Sequence, residues 1–289
     1  MTREIKKVDF ENNHSLQIEV VHLSGLIKKH SNALTIPHRT NFYHIFLFEN
    51  CSPTHIVDFT PIKIKPHSLL FINKDNVHLF DKSSRYDGKV LIFTDEFFCV
   101  TEADRKFLHN TNLFNNLLST STIQIKKSNK KFERLFYLIE KELENKPDKN
   151  QYNILKNLLH ILLMYAERVK GTHGFTRLKK GADLDYTILF KDVLDEKFHL
   201  LKSVKEYSCL LHVSEKRLNQ ATKKILGKTP KQMIDDRIVL EAKRLLIHTH
   251  QNIKEISFAL GFAEPTNFIK YFRKHVSKTP VEFRESYSL

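Results

Sequence analysis

Between residues 16 and 94, short apolar or alternating runs recur: Ile18–Val21, Phe42–Phe48, His55–Phe59, Leu69–Ile72, Val77–Phe80 and Val90–Phe93. They are rich in Phe, Ile and Val and are broken by Pro37, Pro53, Pro61, Pro66 and Gly88. Several short strands at near-regular spacing predict a small antiparallel barrel or sandwich. From about Asp104 the period becomes helical. Phe132, Leu135, Phe136, Ile139 and Leu143 share one face, and Ile154, Leu155, Leu158, Leu159, Leu162 and Leu163 crowd a second helix, with Pro147 and Asp148 between the two. The second helix is apolar on more than one side. It must bury both sides, either wholly within its own domain or partly against a partner. Residues 171–181, basic and glycine-bearing, read as a linker, and helical pattern resumes near Ala182.

The C-terminal hundred residues contain a repeat. Val204-Lys205-Glu206-Tyr207-Ser208-Cys209-Leu210-Leu211 aligns with Ile253-Lys254-Glu255-Ile256-Ser257-Phe258-Ala259-Leu260, and Lys228-Thr229-Pro230 with Lys278-Thr279-Pro280. Each copy has the grammar of a helix pair. Ser203 with Glu206, and Asn252 with Glu255, are capping boxes. A tight turn follows at His212 in the first copy and at Gly261 in the second, where glycine tolerates positive φ. Ser214 caps a helix from Glu215 to about Leu226, and Pro265 opens the corresponding second helix. The first turns Leu218, Ala221 and Ile225 inward; the second turns Phe268, Tyr271, Phe272 and Val276 inward. Outward lie Lys216, Arg217, Asn219, Gln220, Lys223 and Lys224 on the first, and Thr266, Asn267, Lys270, Arg273 and Lys274 on the second.

The DNA major groove admits one helix and displays donors and acceptors that Asn, Gln, Lys and Arg can read. Lys and Arg beside them neutralise phosphate. One such helix pair would equally suit an unrelated bundle; two, with matching caps and polar outer faces, favour DNA. Between them Thr229 caps a helix from Pro230 to His248 with a buried stripe of Ile234, Ile238, Ala242, Leu245 and Leu246. About 18 residues at 1.5 Å each span roughly 27 Å. That is short of the ~34 Å of one DNA turn, so the duplex would bend slightly to receive both recognition helices.

Composition bounds these readings more than it directs them. The 289 residues are 41% hydrophobic and 28% charged, with 7 Gly and 8 Pro, which fits about two globular domains. The net charge of +14 permits nucleic-acid binding, but both halves are basic, so it does not locate the site. Cys51, Cys99 and Cys209 are far apart, imply no disulfide framework or zinc site, and fit a reducing cytoplasm. The opening residues carry no secretory signal, and no run is long enough to span a membrane. No phosphate loop, nucleophile elbow or paired Cys/His nucleophile is present.

From Arg237 onward the chain resembles the AraC family of transcription regulators, on R-x3-E-A-K-R-L-L, then I-K-E-I-S-x-x-L-G-F, P-T-N-F-I-K-Y-F-R-K and K-T-P-V-E-F-R. The resemblance covers about residues 184–287. It departs from the family at Ser257, where Ala is common, at Thr222, where Phe is common, and at Ser277, a usual Gly position. Carried over by position, it implies base contacts at Lys216, Asn219 and Gln220 in the first unit and at Pro265, Thr266, Ile269 and Lys270 in the second. It leaves phosphate contacts to Arg217, Lys223, Lys224, Asn267, Arg273 and Lys274.

The front half is similar to this family's cupin-like sensor domain on Ile36–Tyr43, Lys65–Ser68 and Asn76–His78. Metal cupins carry H-x-H and a later Glu. Thr40 stands where the second His would be, so no metal and no cofactor are expected, although His38, His44, His55 and His78 could rebuild a ligand set. An effector pocket would use His38, Arg39, Tyr43 and His78, unless these are ordinary wall or surface groups.

The expectation is therefore a multidomain α+β protein. Residues 1–100 form an antiparallel, cupin-like β-barrel acting as sensor, 101–170 a helical dimerisation segment, 171–181 the linker, and 182–289 an all-α domain of two helix-turn-helix units joined by a linker helix. Its function would be sequence-specific DNA binding in the cytoplasm, not catalysis. Its partners would be double-stranded DNA, a small-molecule effector, RNA polymerase and a second copy of itself, with no membrane. The alternative is a metal-dependent cupin enzyme with a helical tail.

Overall fold

The computed structural model describes residues 6–10, 16–74, 76–111, 113–114, 120–172 and 181–287. They form an N-terminal and a C-terminal unit. Of the expected linker, residues 173–180 lie outside the described residues.

The N-terminal unit runs β1 (Lys6–Val8), β2 (Ile18–His22), α1 (Leu23–Leu34), β3 (His38–Thr40), β4 (Tyr43–Phe48), β5 (Thr54–Val57), β6 (Thr60–Lys63), β7 (Ser68–Ile72), β8 (Val77–Phe80), β9 (Gly88–Phe93), α2 (Asp95–Phe98), α3 (Glu102–Asn110), β10 (Ser121–Gln124), α4 (Lys131–Glu144) and α5 (Gln151–Thr172). The strands make two five-stranded sheets, β1-β3-β8-β5-β6 and β10-β7-β4-β9-β2. This corrects the expected closed antiparallel barrel: no ladder joins the two sheets among the described residues, and β1 pairs with β3 in parallel.

Every residue of β4 is buried because the strand separates two cores. Phe46 and Phe48 face the other sheet together with Val57, Leu70, Ile72, Phe80 and Val90. Tyr43, Ile45 and Leu47 face the helices together with Leu69, Phe71, Leu91 and Phe93. A strand covered on both sides needs no polar alternation, which is why Tyr43–Phe48 reads as a continuous run.

The reading of 16–94 as strands alone missed α1. Leu23, Leu26, Ile27 and Leu34 turn its apolar side to the core between the sheets. Gly25, Ser31 and Asn32 weaken the helical signal, and His30 leaves helical geometry at φ −128°. The helical segment after residue 100 also contains a strand, β10, which extends the second sheet beside β7. Helices α4 and α5 pack on that sheet through Phe132, Leu135, Phe136, Ile139, Leu155, Leu159 and Leu162. Asp148 accepts the amides of Asn150 and Gln151 at the start of α5, and Gln151 Nε2 donates to the carbonyls of Glu142 and Asn145 at the end of α4. The outer side of this hairpin leaves Tyr137, Leu138, Ile154, Ile161 and Met164 exposed.

The C-terminal unit is all helix: α6 (Ala182–Lys197), α7 (Val204–Leu210), α8 (Glu215–Leu226), α9 (Pro230–His248), α10 (Ile253–Ala259), α11 (Pro265–Val276) and α12 (Pro280–Glu285). The capping boxes at Ser203/Glu206 and Asn252/Glu255 are formed, and Thr229/Gln232 and Thr279/Glu282 add two more. The two units also share their strained positions. His212 and Gly261 take φ of 52° and 78° in the turns, and Gly227 and Ser277 take 68° and 60° at the ends of α8 and α11. Ser257 and Thr222 are fully buried, so both departures from the family pattern fall in the core. Among the described residues no helix is long and apolar enough to cross a membrane.

These backbone positions generate an opposed pair of outcomes. A Cβ on Gly261 would sit 1.8 Å from the His199 carbonyl oxygen, at a φ that L-residues avoid. Gly261→Ala is expected to destabilise the C-terminal unit by about 2 kcal/mol or more, and Ser277→Gly to stabilise it by about 1 kcal/mol. Urea unfolding followed by circular dichroism measures both; a neutral Gly261→Ala would contradict the close approach.

Candidate nucleic-acid interface

Helix α9 carries both helix-turn-helix units. Its first half buries Met233, Ile234 and Ile238. Its second half buries Ala242 and Leu246 in one core with Ile256, Leu260, Phe268, Phe272 and Phe283. A helix covered from several sides must also satisfy buried polar groups. Arg237 bridges Asp195 of α6 (2.9 Å) and Glu241 (3.0 Å), Glu241 also accepts Arg244 (2.9 Å), and the Arg237 guanidinium lies 3.9 Å from the centre of the Phe198 ring. Asp235 accepts the Tyr271 hydroxyl of α11 (2.6 Å) and Lys231 (2.7 Å). From α12, Arg284 donates to the carbonyls of Leu246 and Gln251. These contacts bind α6, α11 and α12 to one rod.

On that rod the second helix of each pair presents a polar outer side. In α8, Leu218, Ala221 and Thr222 are buried, while Lys216, Gln220, Lys223 and Lys224 are exposed and Arg217 and Asn219 half-buried. In α11, Phe268 and Phe272 are buried, Thr266, Asn267, Lys270, Arg273 and Lys274 exposed, and Pro265 and Ile269 half-buried. None of the thirteen expected DNA-contact residues lies in the core. Ser214 accepts the Arg217 amide and so sets the start of α8. Asn219 Nδ2 donates to the Glu215 carbonyl one turn earlier, which orients the amide along the helix surface. Sequence reasoning missed that Arg217 and Lys224 both pair with Asp183 of α6. It also missed the buried charges of α9. Asp183 and Asp195 are remote in sequence from the cations they pair with.

In the N-terminal unit the structure regroups the expected pocket residues. His38 and His78 are cross-strand neighbours with ring centres 4.4 Å apart. Arg39 is next along β3, where side chains alternate between faces. Tyr43 faces the other core, stacks on Phe93 and donates to Asp95. In place of those two, His44 and His55 join the cluster: His44 lies 4.7 Å from His78, ring centre to ring centre, and His55 Nε2 is 3.2 Å from His78 Nδ1. All four imidazoles are buried. Among the described residues, no three or more His, Cys, Asp or Glu are arranged to hold a metal ion. Burial first, and the neighbouring imidazoles second, hold His44 and His78 well below the ordinary histidine range and take His55 down to about 3.

A helix-turn-helix domain family matches residues 207–286. An uncharacterized HTH-type transcriptional regulator of Bacillus subtilis (strain 168), YisR, is 30% identical over 92 residues, 32% of this chain and 32% of YisR. The lactose operon transcription activator of Staphylococcus xylosus is 29% identical over 98 residues, 34% of this chain and 35% of that protein. The chain spans about a third of the length of each of these two relatives. Among solved structures, ToxT from Vibrio cholerae aligns over 94% of this chain and 99% of its own, at 12% identity and a TM-score of 0.44.

The histidine cluster predicts acid sensitivity. Three imidazoles stay neutral in the folded unit but protonate near pH 6.5 when it unfolds. Stability is therefore fully present above that pH and is lost as pH falls below it, by up to about 4 kcal/mol per pH unit while all three resist protonation. Thermal unfolding of the N-terminal unit across this range is expected to show that loss. His55→Gln should flatten the dependence by about a third, and a melting temperature indifferent to pH would refute it.

Proposed function

We propose that this chain, which carries an AraC-type helix-turn-helix domain and groups with that family of transcription regulators, is a sequence-specific DNA-binding regulator that places α8 and α11 in adjacent major-groove segments of one duplex. The observation that carries this reading is the paired geometry: two capped helix pairs, each with a polar outer helix, on one rod held by Arg237, Glu241 and Asp235. Base edges fall to Lys216, Asn219, Gln220, Pro265, Thr266, Ile269 and Lys270. Pro265 and Ile269 offer only apolar contact, so the second unit reads fewer bases than the first. Lys223, Asn267, Arg273 and Lys274 face phosphate, with Arg217 and Lys224 beside them.

The N-terminal unit takes the sensor role in this reading, as a cupin-like fold answering to a small molecule. The linker over 171–181 passes its state to the DNA-binding unit. A ligand shifts such an equilibrium only by its difference in affinity for the two states. The exposed apolar residues of α4 and α5 support a homodimer: Ile154 and Ile161 stand two turns apart on one side of α5, with half-buried Leu158 between them. Dimerisation raises the effective concentration of the second DNA-binding unit at a linked half-site. RNA polymerase is the further partner of a regulator that acts this way, and the cytoplasm is its place. The metal-dependent cupin enzyme is less well supported, because Thr40 replaces the second histidine of its motif.

Genome-wide footprinting of the bound protein supplies the operator. On that operator, Asn219→Ala or Gln220→Ala is expected to cut discrimination against mismatched bases about tenfold or more. Lys274→Ala should weaken all sequences alike and reduce the salt slope by about 1. If Asn219→Ala leaves selectivity intact, α8 does not sit in the groove in this register.

The dimer reading is tested by Ile161→Glu. Sedimentation is expected to give dimers for the unaltered chain and monomers for the variant, which should also bind the operator more weakly. A monomeric unaltered chain, free and on DNA, would overturn the dimer.

A further inference from the structure

Arg217 and Lys224 stand seven residues apart on α8, two turns along one side. Both reach the same carboxylate. Arg217 Nη1 pairs with Asp183 Oδ1, and Lys224 Nζ lies 2.6 Å from Asp183 Oδ2. Asp183 belongs to the first turn of α6, 34 positions before Arg217. The next turn of α6 supplies Tyr186, whose ring centre is 4.9 Å from the Arg217 guanidinium. The Asp183 side chain is only 19% exposed. Hydrogen bonds from Lys224 and Arg217 keep its carboxyl below the ordinary range, so it is ionised at neutral pH.

We propose that Asp183 is a positioning residue, which draws Arg217 and Lys224 toward α6 and withholds one of their two charges from the DNA backbone. This rests on the DNA-binding reading above. Contacts to phosphate add affinity without sequence information, and their number sets the salt dependence of binding. Two cations sharing one carboxylate present one net positive charge instead of two. The remaining exposed cations of α8, Lys216 and Lys223, keep enough attraction for docking. Removing one charge from this sequence-independent term weakens the hold on every site alike and lowers its salt dependence, while the base-reading side of α8 is untouched, so a larger share of the binding rests on base contacts. The same carboxylate holds α8 to α6 along two turns, so the pitch at which Asn219 and Gln220 meet the groove is set by α6.

The test measures the affinity of the full chain for a random-sequence duplex as KCl is raised, by fluorescence anisotropy. Asp183→Asn is expected to tighten random-sequence binding several-fold at low salt. It should steepen the slope of log K against log salt by about 1. Asp183→Glu, which keeps the charge, should retain the original slope, and the double variant Asp183→Asn with Lys224→Gln should return to it. A purely structural Asp183 would instead weaken binding with the slope unchanged, and that result overturns the proposal.

If Asp183→Asn lowers thermal stability, Asp183→Ser, measured well below its melting temperature, decides. Its slope should again be steeper by about 1; a slope equal to that of the unaltered chain means that the carboxylate withholds no charge, and the proposal fails. An unaltered chain with no salt-dependent binding at all would end the DNA reading itself.

Discussion

The C-terminal unit depends on a helix that is covered from several sides. Helix α9 is packed by α6, α8, α10, α11 and α12, so its polar side chains cannot all reach water. A buried charge without a partner would cost several kcal/mol, and removing one member of a buried pair leaves that penalty on the other. Arg237, Glu241, Arg244 and Asp195 meet the requirement as a chain of alternating charges, with the Phe198 ring covering one guanidinium. The same requirement makes the unit stiff. Each charge fixes the rotation of α9 relative to a neighbour, and Asp235 fixes α11 through the Tyr271 hydroxyl. Helices α8 and α11 can keep a constant separation only if the element between them cannot roll.

The N-terminal unit follows from an analogous constraint on a strand. Helices cover one side of β4 and the other sheet covers the opposite side, so six successive residues are buried. Placing His44 between Tyr43 and Ile45 puts an imidazole on the side facing the other sheet. There it meets His38, His55 and His78 from β3, β5 and β8. Burial first, and the neighbouring imidazoles second, keep His44, His55 and His78 neutral in this layer. The sheet pairing therefore carries a standing sensitivity to acid, whatever else the unit binds.

How much of this was legible beforehand depends on how far apart the cooperating residues are. The two helix-turn-helix units were readable because their signals are local: Ser203 with Glu206, Asn252 with Glu255, Ser214 before Glu215, and Pro265 at the head of α11. The turn at His212 followed from comparing one copy with the other, and Ser277 stood out as a usual Gly position of the resembled family; both take positive φ. The strands at Ile18, Tyr43, Leu69, Val77 and Val90 were legible for the same reason. Helix α1 was not, since Gly25 and Ser31 dilute a short apolar stripe, and β10 was hidden inside a stretch of helical period. The barrel was not legible as two sheets, because closure depends on which strands pair, and pairing is not a local property.

Sequence alone settled the capped ends, the repeat and the polar outer sides of α8 and α11, since helix caps and amphipathic periods act over three or four residues. Only the folded chain decided which charges those outer sides leave to a partner. Asp183 meets Arg217 and Lys224, and Arg237 meets Asp195, across more than thirty residues. It likewise decided that four histidines from separate strands form one cluster. Electrostatic pairing acts through space, over a few ångströms that the chain must first bring together.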